Sequence, residues 1–142
     1  MLYHFKRALG IALALYAATF IIGIVCGIVF HQDMTSMDTI TDSMWYAGMV
    51  GGAVLSAVFT WWYFKNARIT RSAKSGFLFG LTAIVLSSIL DLILFTLGNM
   101  SGGNVDLWKY YGDFRFWIIV ALVVLAATVV GSLKPSRAHH GA

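Results

Sequence analysis

Long apolar stretches separated by short polar segments dominate the chain. Three stretches contain no charged residue, at 8–30, 43–64 and 116–133, and a fourth at 76–98 is interrupted only by Asp91. A helix of roughly 20 residues crosses the hydrocarbon core of a bilayer, which is about 30 Å thick. The pattern therefore predicts an all-α polytopic membrane protein with four transmembrane helices at these positions.

The segments between the predicted spans are too short to form a second domain. They comprise outer loops at 31–42 and 99–115, an inner basic loop at 65–75 and a polar tail at 134–142. Short connections join helices that run antiparallel, so we expect a single membrane domain built as an up-down four-helix bundle. The first apolar stretch is longer than the apolar region of a signal peptide, so we expect it to stay in the mature protein.

The distribution of basic residues predicts which side of the membrane each segment faces. Eight of the ten Lys and Arg residues lie before the first span, in 65–75 or in 134–142. Cytoplasmic segments of membrane proteins carry such an excess. We therefore predict cytoplasmic termini and a location in the plasma (inner) membrane. The net charge of +4 then reflects topology and contact with the lipid bilayer rather than binding of nucleic acid.

The composition excludes several kinds of site. Hydrophobic residues make up 59% of the chain, charged residues make up 11%, and every acidic residue is Asp. Zinc-protease and EF-hand motifs need Glu, and a CxxC motif needs a second thiol beside Cys26. The nucleophile-elbow and phosphate-loop motifs are also missing from the sequence. We therefore expect neither a metal nor a cofactor, and an enzyme is the least supported class.

Small residues recur at a spacing of four on the predicted helices. Glycines at this spacing let two membrane helices approach closely, and close packing is a main source of their association. We therefore favour a non-catalytic accessory, assembly or partner-binding role, as a homo-oligomer or as a subunit of a membrane complex. The predicted packing residues are Gly23, Gly27, Gly48, Gly52, Gly76 and Gly80.

Asp91 is the charged residue that lies well inside a predicted span. A charge at membrane depth costs roughly 2.5–3.5 kcal/mol, so it needs a partner or a wet environment. Ser87 and Ser88 precede Asp91 on neighbouring parts of one helix face. Arg115 begins the fourth span on the same side of the membrane, and we expect it to pair with Asp91.

Two interpretations of this intramembrane polar site remain open. In one, Asp91 and its partners form a fixed ion pair that sets helix register. In the other, Asp91 is the proton or cation site of a small oligomeric transporter or channel, which is the alternative to the accessory role. The outer aromatic residues leave a similar choice, between interfacial anchoring and an aromatic cage for a cationic ligand. They include Trp45, Tyr46, Trp108, Tyr110, Tyr111 and Trp117.

Overall fold

The computed structural model describes residues 4–31, 40–66, 69–102 and 106–133. Within these ranges the chain forms α-helices and no β-strand. The predicted tail at 134–142 lies outside the described residues, as do parts of each predicted loop. The all-helical fold class is confirmed for the part of the chain that is described.

Four long helices and one short helix make up the fold. The long helices are each long and apolar enough to cross a membrane, which confirms the prediction of four candidate spans. Their bounds differ from the predicted spans by one to three residues. The helices are α1 (Phe5–Val29), α2 (Asp42–Tyr63), α3 (Ala73–Met100), α4 (Leu107–Gly112) and α5 (Phe114–Ser132).

The short helix α4 lies in the segment 99–115, which the sequence predicted as a loop throughout. The Asp106 carboxylate caps this helix by accepting hydrogen bonds from the backbone N–H groups of Trp108 (2.9 Å) and Lys109 (3.3 Å). These N–H groups have no partner within the helix, so the cap stabilises its first turn. A helix of six residues is too short to show a periodic hydrophobic pattern, which explains why the sequence did not reveal it.

The four long helices pack in the ring order α1, α2, α5, α3, so that α1 and α5 each contact both α2 and α3. At one end of the bundle, the Arg7 guanidinium donates hydrogen bonds to the carbonyls of Trp62 (3.1 Å) and Tyr63 (3.3 Å). These carbonyls lie in the last turn of α2, where the guanidinium adds charge-assisted hydrogen bonds to them. We call this the Arg7 end. The opposite end, where Arg115 contacts Asp42, is the Arg115 end.

Glycines bring the backbones of α3 and α5 into direct contact near the Arg7 end. A Cβ atom added to Gly131 would lie 2.5 Å from the Ser72 carbonyl oxygen and 2.9 Å from the Gly76 Cα. A Cβ atom added to Gly76 would overlap the Ala127 carbonyl, and one at Gly80 would lie 3.1 Å from the Ala127 Cβ. Any side chain at Gly76 or Gly131 would therefore push the two helices apart.

A second glycine face packs α2 against α5. A Cβ atom added to Gly48 would lie 3.0 Å from the Ile119 Cδ1, and one at Gly52 would lie 3.3 Å from the Val123 Cγ2. Next to them, the Ser56 hydroxyl donates a 2.8 Å hydrogen bond to the Val123 carbonyl. The glycine spacing on α2 is therefore used for contact inside the chain.

The glycine pair on α1 behaves differently. Gly27 is buried, whereas a Cβ atom added to Gly23 would meet no other atom within 4 Å. Four of the six predicted packing glycines therefore make close helix contacts within the chain, and Gly23 does not.

Tightly packed side chains fill the bundle toward the Arg7 end. The rings of Tyr63 and Phe79 stack there with centroids 5.0 Å apart, and both side chains are fully buried. These side chains leave little space in this half of the bundle. The buried cluster consists of Ala8, Ile11, Tyr63, Phe64, Ile69, Phe79 and Ala127.

The contact of α3 with α5 predicts that replacing two glycines of α3 by alanine has very different effects on the free energy of unfolding. We expect Gly76→Ala to lower the free energy of unfolding by about 1–3 kcal/mol, because the new methyl group overlaps the backbone of α5. Gly98→Ala, where a Cβ atom meets nothing within 4 Å, should change it by less than about 0.5 kcal/mol. Reversible unfolding in detergent or bicelles measures both values, and equal stability of the two variants would contradict this packing.

Candidate functional site

A cavity of about 360 Å³ lies in the half of the bundle toward the Arg115 end. All four long helices and α4 contribute to its wall, most of which is apolar. Small-molecule sites in proteins typically have volumes of about 300–1,000 Å³ and similarly apolar walls with a few polar groups. The cavity is therefore large enough for a small solute. Its polar lining residues are Tyr16, Thr19, Cys26, Ser87, Asp91 and Tyr110.

Glycines create much of the space on two sides of this cavity. Gly23 on α1 and Gly51 on α2 both line it, and a Cβ atom at either position would meet no other atom within 4 Å. Gly48 and Gly52 line it as well while they contact α5. Because glycine has no side chain, these positions leave volume that a solute can occupy.

Asp91 forms the polar centre of the cavity. It lies nine residues before the last residue of α3, or about 14 Å along the helix. The Tyr16 hydroxyl donates a 2.8 Å hydrogen bond to Asp91 Oδ1, which connects α1 to α3. The Thr19 hydroxyl in turn donates to the Tyr16 carbonyl (2.8 Å). Hydrogen bonds to a carboxylate are stronger than neutral ones, so the bond from Tyr16 fixes the position of the Asp91 side chain.

Arg115 pairs with two surface acids instead of Asp91, which corrects the expected Asp91–Arg115 pair. Its Nη1 lies 2.6 Å from Asp42 Oδ1, and its Nη2 lies 2.7 Å from Asp113 Oδ2. Arg115 is the second residue of α5, and both acids lie at helix ends beside it. The guanidinium therefore stays at the hydrated end of the bundle and avoids the cost of entering the apolar interior.

The cluster of Arg115 with Asp42 and Asp113 also closes the first turn of α5. The Asp113 carboxylate accepts a 2.8 Å hydrogen bond from the Arg115 backbone N–H, which makes Asp113 the N-cap of the helix. Hydrogen bonds from the Arg115 side chain hold the pKa of Asp113 below its usual range. The guanidinium carbon also lies 5.0 Å from the centre of the Trp45 ring, within the range of a cation–π contact.

Aromatic rings cover the cavity at the Arg115 end. Tyr110 on α4 stacks against Trp45 on α2 with centroids 6.0 Å apart. The same ring contacts Phe95 edge-on at 5.9 Å and Phe116 at 5.2 Å. Burial raises the pKa of Tyr110 above its ordinary value. These aromatic residues do more than anchor the chain at an interface, because they join α2, α3, α4 and α5 above the cavity.

The predicted polar patch is divided between two places. Ser87 and Asp91 line the cavity. Ser88 lies beside the Tyr111 hydroxyl instead, and burial raises the pKa of that tyrosine. The structure therefore brings Asp91 together with Ser87 and places Ser88 and Arg115 outside the cavity wall.

The half of α1 toward its C-terminus packs loosely. Ile22 and Ile24 line the cavity, and their side chains are 41% and 39% exposed. Val25, which follows Ile24 in the chain, is 53% exposed. The cavity is therefore not sealed beside this part of α1. This part of α1 therefore exposes apolar side chains beside the cavity.

The sequence did not reveal Tyr16 or Thr19 as parts of the site, whereas Tyr110 belongs to the outer aromatic residues for which a cage around a cationic ligand was one interpretation. One signal for Tyr16 was present, because Tyr prefers the membrane interface and Tyr16 lies near the middle of its apolar stretch. A tyrosine at that depth needs a hydrogen-bond partner, and Asp91 is the acid available at a comparable depth. Tyr110 lies on α4, which the sequence did not predict, so its position over the cavity could not be read from the chain alone.

Comparisons with family models, with curated proteins and with solved structures find no match for this chain. The four long apolar helices are compatible with an integral membrane protein. Arguments for a more specific role come from the cavity and its polar residues.

The bond between Tyr16 and Asp91 predicts a specific loss of stability. We expect Tyr16→Phe to lower the free energy of unfolding by about 0.5–2 kcal/mol, because the Asp91 carboxylate loses its hydrogen-bond donor. Tyr46→Phe is the matched control, since Tyr46 is 66% exposed on α2, and it should have almost no effect. Chemical unfolding in mixed micelles checks this difference, and a neutral Tyr16→Phe would show that the bond contributes nothing.

Proposed function

We propose that this protein is an integral protein of the plasma (inner) membrane that binds and transports a small solute in the cavity beside Asp91. One observation carries the proposal. The cavity is lined by all four long helices and contains the charged residue that lies farthest from the helix ends. Intramembrane acids that face a cavity commonly mark substrate or ion pathways.

The surface of the long helices supports a bilayer environment. Large apolar side chains are exposed on every long helix, including Ile28 (68%), Val50 (67%) and Leu97 (55%). Soluble monomers rarely expose apolar surface so extensively, whereas lipid tails solvate it without cost. We infer that these surfaces face lipid.

We further propose an up-down antiparallel arrangement with both termini cytoplasmic. Three contacts support it: Arg7 of α1 bonds the last turn of α2, Gly131 of α5 approaches Gly76 near the start of α3, and Arg115 bonds Asp42 at the start of α2. Basic residues Lys65 and Arg71 lie at the Arg7 end with the N-terminal turn of α1, as the positive-inside rule requires of a cytoplasmic end.

The accessory role has less support than solute binding. Its motivation was the set of glycine faces, and those on α2 and α3 contact α5 within the same chain. The cavity also lies within one chain, so a bound solute does not need the oligomer that we expected for a transport path. A homo-oligomer or a larger membrane complex stays a prediction, and among the predicted packing glycines Gly23 on α1 makes no close contact within the described part of the chain.

The packing indicates from which side a solute would reach the cavity in this conformation. The side chains around Tyr63 and Phe79 block the cavity from the Arg7 end. Solute therefore enters from the Arg115 half or from the bilayer, and release toward the cytoplasm requires the helices to separate at the Arg7 end.

Occupancy of the cavity is testable with the neutral aromatic photolabel trifluoromethyl phenyl diazirine. In proteoliposomes we expect saturable labelling of Tyr16 and Cys26, because both line a cavity of limited capacity. Labelling of Tyr46, which is exposed, should rise linearly with the reagent because lipid is not saturated. Residue-level mass spectrometry distinguishes the two responses.

Variants at two glycines provide the control for this experiment. Gly23→Leu fills the cavity and should remove the saturable component, whereas Gly10→Leu places the same side chain on an exposed position of the same helix and should retain it. Linear labelling of Tyr16 in the unmodified protein, or an unchanged saturable component in Gly23→Leu, would overturn the proposed function.

The orientation is tested separately with single cysteines at the two ends of α3, in a Cys26→Ser background. Ala73→Cys and Met100→Cys both replace exposed residues. We expect an impermeant maleimide applied to intact cells to label Met100→Cys and to reach Ala73→Cys only after permeabilisation. The opposite result would reverse the proposed orientation.

A further inference from the structure

We propose that the solute is a monovalent organic cation, a protonated or quaternary amine that carries one aromatic or branched apolar group. This inference rests on the proposed function, because it assigns a chemical class to the solute of the same cavity. It is carried by the charge balance, the wall and the size of that cavity.

Asp91 has no basic residue beside it in the cavity wall that the described residues form. The lining residues of the cavity include the Asp91 carboxyl and no Lys, Arg or His. Arg115, which the sequence predicted as the partner of Asp91, is held by Asp42 and Asp113 at the helix ends. An ionised carboxylate in an apolar cavity is strongly stabilised by an opposite charge, and a cationic solute supplies one. An anionic solute would meet only repulsion.

Aromatic rings form part of the cavity wall near Asp91. Tyr16, which bonds Asp91, stacks with Phe20 at a centroid separation of 6.2 Å, and both rings line the cavity. Phe95 and Tyr110 form a second pair of lining rings on the side of α3 and α4. Faces of aromatic rings attract cations, most of all organic ammonium groups that are weakly hydrated. A cation bound to Asp91 would therefore find rings from both α1 and α3.

The described residues of the cavity do not suit a bare metal ion. Calcium needs six to eight oxygen ligands and magnesium keeps a nearly complete octahedral shell. The cavity offers one carboxylate and a few hydroxyl groups, and no group of three or more His, Cys, Asp or Glu residues occurs in the described part of the chain. Its largely apolar wall suits the carbon groups of an amine and cannot replace the water shell of a small inorganic ion.

Volume and access agree with an amphiphilic amine. A cavity of about 360 Å³ holds one aromatic ring together with a small ammonium group. The loosely packed side beside Ile22 and Ile24 would open toward lipid, where amphiphilic cations accumulate. The ammonium group would then reach Asp91 while the apolar group remains among Gly23, Gly51 and their neighbours.

The experiment compares two probes that differ mainly in charge. Benzyltrimethylammonium and its carbon isostere neopentylbenzene each compete with the diazirine photolabel for Tyr16 and Cys26 in proteoliposomes. Both are measured on the unmodified protein and on Asp91→Asn. Asparagine keeps the shape of the side chain and an acceptor for the Tyr16 hydroxyl while it removes the charge.

We expect Asp91→Asn to raise the competing concentration of benzyltrimethylammonium at least about tenfold, and to change that of neopentylbenzene by less than about twofold. The unchanged isostere also shows that the variant is folded and its cavity intact. Equal effects of Asp91→Asn on both probes, or no competition by the cation, would overturn the cation proposal.

These outcomes are separate from failure of the proposed function. If saturable labelling is present and neopentylbenzene competes while the cation does not, the cavity binds a neutral solute and only the cation proposal is lost. If labelling of Tyr16 and Cys26 is not saturable in the unmodified protein, both proposals are lost.

Discussion

The backbone contact between α3 and α5 at Gly76 and Gly131 is the constraint on which the rest of the bundle depends. Lipid tails do not drive apolar helices together, so close packing of backbones has to provide much of their association. In this protein the contact between α3 and α5 lies near the Arg7 end of the bundle. Glycine has the opposite effect in the other half of the bundle, where Gly23 and Gly51 face open space and leave a cavity between helices that are held together elsewhere.

The charged side chains of this fold differ in where they lie, since Arg7 and Arg115 are at helix ends and Asp91 is in the interior. Arg7 donates hydrogen bonds to carbonyls at the end of α2, and Arg115 is neutralised by two acids at the start of α2 and α5. Charges at helix ends can be hydrated or paired at little cost. Asp91 lies away from the helix ends, and its observed hydrogen-bond partner is the neutral Tyr16 hydroxyl. This difference from Arg7 and Arg115 is the basis of the proposed solute site.

The two ends of the bundle are closed by different means. Side chains around Tyr63 and Phe79 fill the Arg7 end directly, whereas Tyr110 and its neighbouring rings cover the Arg115 end through the short helix α4. A six-residue helix held by one capping residue and ring contacts has few intrahelical hydrogen bonds of its own. The more easily rearranged cover therefore lies on the side from which the solute is proposed to enter.

The sequence by itself determined the number and approximate bounds of the long helices, because the length of an apolar stretch and its freedom from charge are set by the thickness of a bilayer. It also determined that Asp91 lies inside a span and that glycines on α2 and α3 have the spacing of contact faces. Asp106 was readable as a possible cap only after α4 was known.

Only the tertiary structure decided which helices are neighbours and which residues meet. The helices are apolar nearly all round, so the sequence carries little pattern to say which face of each points inward. For that reason the sequence suggested Arg115 as the partner of Asp91, whereas rotation and packing of α1 bring Tyr16 to it instead. The cavity itself is the space left between four packed helices, and no stretch of the chain encodes such a space alone.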